Sequence, residues 1–330
     1  MDRLIVKNFG PLKDVDIELN KINLFIGENG SGKSVLAKLI NILKNTNISR
    51  EMFDDYNINY LNEDTEIRYK VISHDKTYFT EFNGTEIITN NIAFQSNLSS
   101  KYIPAERNLI SLFNKYVTTF ITADIPLPKF LLNFSSQYVR AREEIRELNL
   151  LNIKYKFQSD QERIYYNDKN YLLLERSSSG IQSALPLYLT VQYFANKHSA
   201  IIIEELEQNL FPKAQKETVE YIVEQTSDEN SLFMMTHSPY VLSTLNNLIF
   251  AYKVAQMSET TKEQVKEQVK EEQWINPDDF SAYYLENGVA RSIKSSRGLI
   301  SDNEIDDISD EMGDEFGTLM EIYREFKYAK

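Results

Sequence analysis

Residues 21–43 read KINLFIGENGSGKSVLAKLINIL, and this stretch decides the fold. Its opening part, Ile22 to Ile26, is a short apolar run with the composition of a strand covered on both faces. Its closing part sets Val35, Leu36, Leu39, Ile40 and Leu43 at helical spacing. Between them, Gly27, Glu28, Asn29, Gly30, Ser31, Gly32, Lys33 and Ser34 fit the pattern G-x-x-x-x-G-K-[ST]. Holding a triphosphate explains these residue types. Glycines let successive backbone N–H groups converge on phosphate oxygens, and the helix that follows adds the positive end of its dipole. Gly27, Asn29, Gly30, Ser31, Gly32 and Lys33 are the expected cradle, with Lys33 bridging the β- and γ-phosphates and the Ser34 hydroxyl on Mg²⁺. The ligands expected from the loop are a nucleoside triphosphate and Mg²⁺.

A phosphate loop needs a second strand that brings a carboxylate to the metal. The run SAIIIEELEQNLFP, residues 199–212, supplies one by ending a branched apolar segment in two glutamates. Glu204 is expected to hold Mg²⁺ and Glu205 to polarise the attacking water, so the cation opposite this acidic pair is the nucleotide's metal. P-loop proteins mostly carry aspartate at the first of these positions, and the longer Glu204 changes the reach to the metal. A third strand, in LFMMTHSPYVL, ends at His237, which is placed to sense the γ-phosphate. His74 and His198 have no comparable surroundings, and three separated histidines without cysteine do not make a zinc site.

Composition narrows the classes. The chain has 330 residues, no cysteine and a formal net charge of -13, which excludes disulfides and thiolate metal sites and argues against a generally phosphate-attracting surface. No apolar run approaches the ~20 residues that span a bilayer, and nothing near Met1 resembles a signal peptide, so a cytoplasmic protein without a membrane partner is expected. Arg140, Arg142, Arg146, Lys154 and Lys156 could contact nucleic acid, but Glu143, Glu144 and Glu147 among them favour a solvated helix face.

In YLLLERSSSGIQSALPLYLTVQYF a serine-rich turn opens a long apolar helix, a good anion site at a helix N-terminus. The order of phosphate loop, serine-glycine turn, IIIEE and THSP resembles ABC-type ATPases, in particular the stand-alone SMC, RecF and OLD-like group, which the N-terminal LIVKNFGPLKDVDIELNKINLFIGENGSGKS also resembles. That resemblance implies an α/β fold: an ABC-type core with a mixed, mainly parallel sheet, an antiparallel β subdomain and a compact helical lid. It makes Ser178, Ser179 and Gly180 the signature motif, reaching a nucleotide bound by another subunit, and so implies a head-to-tail homodimer enclosing two ATP molecules with Asn209 at the interface. Gln95 corresponds to the metal-linked glutamine of such proteins.

The same resemblance implies ATP hydrolysis as a dimer switch acting on a separate effector, a nuclease or toxin, in bacterial anti-phage defence. The alternative it implies is a DNA-associated, repair- or nuclease-coupled ATPase of the RecF or SMC type. The expected core is residues 1–100 and 170–300, with short β-prone runs over 56–96 forming an antiparallel sheet. Residues 101–169 are the expected lid, read as helical over 108–150. Arg107, after a strand end, touches phosphate, the partner subunit or a surface counter-ion. The run VLSTLNNLIFAYKV is read as a helix and then a strand that finishes the sheet. Residues 301–330 are the expected acidic helix, with Ile305, Ile308 and Met312 docked inward; clustered carboxylates there leave open a metal-dependent nuclease.

Overall fold

The computed structural model describes residues 2–45, 48–73, 76–90, 99–113, 123, 127–228, 230–301 and 304–328. The chain opens as strands β1 (Asp2–Phe9), β2 (Leu12–Leu19) and β3 (Ile22–Gly27), then helices α1 (Lys33–Leu43) and α2 (Arg50–Asp55). Strands β4 (Glu66–Ser73), β5 (Lys76–Phe82), β6 (Ile87–Thr89) and β7 (Ser99–Ile103) follow, with helices α3 (Asn108–Phe113) and α4 (Lys129–Glu144). Next come β8 (Glu147–Leu150), β9 (Ile153–Gln158), β10 (Gln161–Tyr165), β11 (Tyr171–Leu173) and helix α5 (Ser179–Phe194). The remainder is β12 (Ser199–Glu204), α6 (Pro212–Gln225), β13 (Asn230–Met235), α7 (Pro239–Ala255), α8 (Glu259–Lys266), β14 (Phe280–Glu286), β15 (Val289–Ser292) and α9 (Glu304–Tyr328).

One eleven-stranded sheet runs β6-β5-β4-β1-β2-β15-β14-β3-β13-β12-β7. From β14 to β7 neighbouring strands are parallel, whereas β6, β5, β4, β1 and β2 pair in antiparallel fashion in that order. The expected antiparallel subdomain is therefore an extension of the core sheet. Strands β3 and β12 are buried at every position. Leu24, Ile26, Ile201 and Ile203 face a core built with α5, α6 and α7, while Phe25 and Ile202 face one built with α1. Two covered faces leave no polar side to such strands, which is why each reads as a continuous apolar run.

Three expectations are corrected. The lid is not all helical: β8 to β11 make a separate antiparallel sheet in the order β11-β10-β9-β8. Alternation in IKYKFQ, with Ile153, Tyr155 and Phe157 inward, is a strand period, and it outweighs the helical propensity of the charged neighbours. The segment LIFAYKV is helix, part of α7, and β14 and β15 finish the sheet instead; a short apolar run does not distinguish the two by periodicity. On α9, Met312 is 65% exposed rather than docked, as are Phe316 at 65% and Phe326 at 79%.

Candidate active site

Strands β3, β13 and β12 lie side by side and parallel, with Met235 opposite both Phe25 and Glu204. The segments that leave their C-terminal ends therefore emerge at one edge of the sheet: the glycine loop after β3, Thr236 and His237 after β13, and Glu205 after β12. Crevices at the carboxyl ends of parallel strands are where open α/β sheets bind ligands.

The loop is shaped by its glycines. Gly27 has φ of 150° and Gly32, which caps α1, has φ of 104°. A Cβ on Gly27 would stand 2.3 Å from the Leu285 carbonyl oxygen, so only glycine lets β3 run beside β14 here. Lys33 donates to the carbonyls of Gly27 at 2.7 Å and Glu28 at 2.8 Å. Burial lowers the Lys33 ammonium pKa, while the charges of Glu205, Glu207, Glu204 and Glu28 act the other way. The cation of the loop and the paired acids thus act on one another electrostatically. Beside the loop a cavity of about 340 Å³ is lined by Glu28, Asn29, Gly30 and Ser31 together with Pro11 and Asn287.

Glu204 is 5% exposed, and its carboxylate accepts from the Tyr102 hydroxyl at 2.7 Å. Burial pushes this carboxyl above the usual carboxylate range, opposed by the Tyr102 bond, the charge of Lys38 and a bond to Ser34. A carboxylate and a hydroxyl side by side at the mouth of a phosphate loop, with the buried Ser31 hydroxyl lacking a hydrogen-bond partner, fit a Mg²⁺-nucleotide. Ser34 and Glu204 would hold the ion, which supplies charge neutralisation on the phosphates. Among the described residues no group of three or more His, Cys, Asp or Glu side chains forms a metal site of its own.

Glu205 has φ of 44°, a left-handed backbone outside glycine, and its N–H donates to the Met235 carbonyl at 2.9 Å. Such a turn swings the half-buried side chain out of the strand line. Residues that follow were not anticipated from sequence. Glu207 is 7% exposed; its Oε1 accepts the His237 N–H at 3.0 Å and lies 3.8 Å from His237 Nε2, while Oε2 has no partner. It ties the segment carrying His237 to the turn carrying Glu205. No periodicity marks it in LEQNLFP; only its burial does.

Arg107 corrects a further expectation. It contacts neither solvent nor a surface acid: it is 0% exposed and donates to the carbonyls of Glu204 and Glu205, each at 2.7 Å. Four of the five bases considered for nucleic-acid contact are drawn toward carboxylates, Arg142 to Glu162, Arg146 to Glu143, and Lys154 and Lys156 to Glu147. Ser178 is the N-cap of α5, and both Ser178 and Ser179 are exposed. Gly180 packs on the turn after Glu205, where a Cβ would meet the Asn209 carbonyl at 2.9 Å. Asn209 is exposed with φ of 61°. The serine turn therefore adjoins the Asn209 turn, and among the described residues no hydrogen bond joins it to the glycine loop. Gln95 lies outside the described residues. No described helix is long and apolar enough to cross a membrane.

Residues 1–156 and 143–242 match a family model described as AAA ATPase domain. No curated protein matches the sequence. Among solved structures, the chain is similar to an SMC head bound to the C-terminal winged-helix domain of ScpA, at 12% identity, 88% of this chain, 96% of that one and a TM-score of 0.48. It is also similar to the recombination mediator protein RecF, at 10% identity, 88% of this chain, 97% of that one and a TM-score of 0.47. The SMC head domain from Thermotoga maritima gives 11%, 88%, 97% and 0.43.

Proposed function

Because the chain belongs to the AAA ATPase domain family, and is therefore an ATPase, we propose that it works as a nucleotide-controlled dimer switch. Mg-ATP bound by Gly27, Asn29, Gly30, Ser31, Gly32, Lys33 and Ser34 draws two copies together head to tail, with Ser178, Ser179 and Gly180 of each copy facing the nucleotide of the other. Glu205 then accepts a proton from the attacking water while His237 lies against the γ-phosphate, and hydrolysis separates the copies. Lys33 and the loop amides hold the phosphates and offset charge that develops on them.

The observation that carries this reading is how the motifs are divided. The loop, Glu204, Glu205 and His237 leave adjacent strand ends, whereas the exposed Ser178 and Ser179 adjoin Asn209. A site divided in this way is completed by a second copy. The resemblance to stand-alone ATPases of bacterial defence systems supports a separate nuclease or toxin as the effector that senses the switch, in the cytoplasm.

The test is Glu205→Gln with Mg-ATP, followed by light scattering. The variant should accumulate as a dimer of twice the monomer mass and return to monomer when ATP is removed. A variant that binds ATP yet stays monomeric refutes the switch. Co-purification with the products of neighbouring genes, with and without ATP, tests the effector.

A further inference from the structure

We infer that Arg107 is a positioning residue for ATP hydrolysis, pinning the turn that carries Glu204 and Glu205 to the first turns of α5. It sits in the short turn Ala105–Arg107 that follows the edge strand β7. Arginine is almost never fully buried without an ion partner, yet the acceptors of this guanidinium are all backbone carbonyls. Nη1 reaches Glu204 at 2.7 Å and Pro104 at 3.2 Å, Nη2 reaches Glu205 at 2.7 Å, and Nε reaches Ser183 at 3.2 Å. A planar fork with several donors can fix four main-chain points in space at once, which a point charge cannot.

Two of those points belong to the residues proposed to hold the metal and to activate water, and the second is held in a left-handed backbone that needs support from its surroundings. The Ser183 carbonyl belongs to α5, whose exposed beginning carries Ser178 and Ser179. The junction is reinforced beside Arg107: the Ser183 hydroxyl donates to Gln208 at 3.1 Å, and Gly180 lies tight against the Asn209 carbonyl. Helix α5 and the acidic turn are thus fastened at successive places, and Glu205 does not take its orientation independently of α5. Burial lowers the arginine to about 10, with Glu207 the foremost opposing charge, so the fork stays protonated at neutral pH.

The extension of this idea rests on the proposed dimer: contact of the serine turn with a nucleotide on the other copy would reach Glu205 through Arg107. Arg107→Lys keeps the charge but loses the fork. Its kcat should fall by about 10–100-fold, the usual penalty for a displaced catalytic group, while the Kd of a fluorescent ATP analogue stays within about threefold of the parent. An unchanged kcat, or equal losses in kcat and affinity, would overturn the inference. Should Arg107→Lys melt at the assay temperature, the same assays run below its Tm decide: a kcat lowered at unchanged affinity supports the pin, and an unaltered kcat overturns it. Ser179→Ala separates the two ideas. If it leaves kcat untouched while Arg107→Lys lowers it, the dimer reading fails and the pin stands.

Discussion

The Lys33 ammonium is 2.7 Å from the Gly27 carbonyl oxygen, so the glycine loop is closed on its own lysine. A bound triphosphate competes for that ammonium, and the charged hydrogen bond it gains there is worth about 1.5–3 kcal/mol. Lys33→Ala should therefore weaken ATP binding by roughly 10–150-fold, measured by calorimetry, and abolish turnover. Thermal stability without ATP should hardly change, because the bonds lost are local.

Glu207 is expected to matter beyond its own charge. Glu207→Ala removes the acceptor of the His237 N–H and the foremost charge opposing Arg107, leaving buried groups uncompensated at about 1–3 kcal/mol. A lower Tm together with a reduced kcat is the expected result. Glu207→Gln keeps the bond to His237 but not the charge, so it should fall between the two.

Two glycines of the loop should respond differently to a methyl group. Gly27→Ala puts Cβ 2.3 Å from the Leu285 oxygen at φ of 150°, so both backbone strain and a clash with main chain follow. Gly30→Ala meets nothing within 4 Å, and only its φ of 81° is unfavourable. The second should cost about 1–2 kcal/mol and the first clearly more. Urea denaturation of the pair orders them, and equal stabilities would contradict the packing of β3 on β14.

Glu162 gives a pH dependence. It lies between α4 and the small sheet, bonded to the Tyr138 hydroxyl and near Arg142, and burial raises its pKa above the usual glutamate value despite both. The folded chain therefore binds more protons here than the unfolded chain. Stability from this group is fully present below the unfolded value and is lost as pH rises through the folded one. The Tm of Glu162→Gln relative to the parent should accordingly be more favourable at pH 7 than at pH 4, and a difference that does not vary with pH would contradict it.

Much of the site is legible in the sequence because phosphate chemistry restricts residue types at fixed spacing. Gly27 to Ser34 and the strand ending in Glu204 emerge where those patterns put them, since each is a local strand-to-loop event. What is not legible depends on distant packing. Arg107 looks like a surface base until β7 and α5 enclose it, and Glu207 looks like one acid among many until β13 brings His237 over it. The strands at 147–173 are hard to read because they follow directly on the charged end of α4, and Lys154 and Lys156 in β9 continue that charged pattern as a solvated helix would. On α9 helical spacing alone suggested an inward face, but spacing shows that a stripe exists, not that anything covers it.

The strand that launches the glycine loop draws one of its flanks from the far end of the sequence, with Gly27 paired to Leu285 in β14. During synthesis the nucleotide-gripping segment leaves the ribosome early, but one edge of its strand stays bare until β14 has been made. Long-range parallel pairing of this kind forms slowly. ATP capture would then be a late event in biogenesis, and a nascent chain would gain it only when its two distant parts had met.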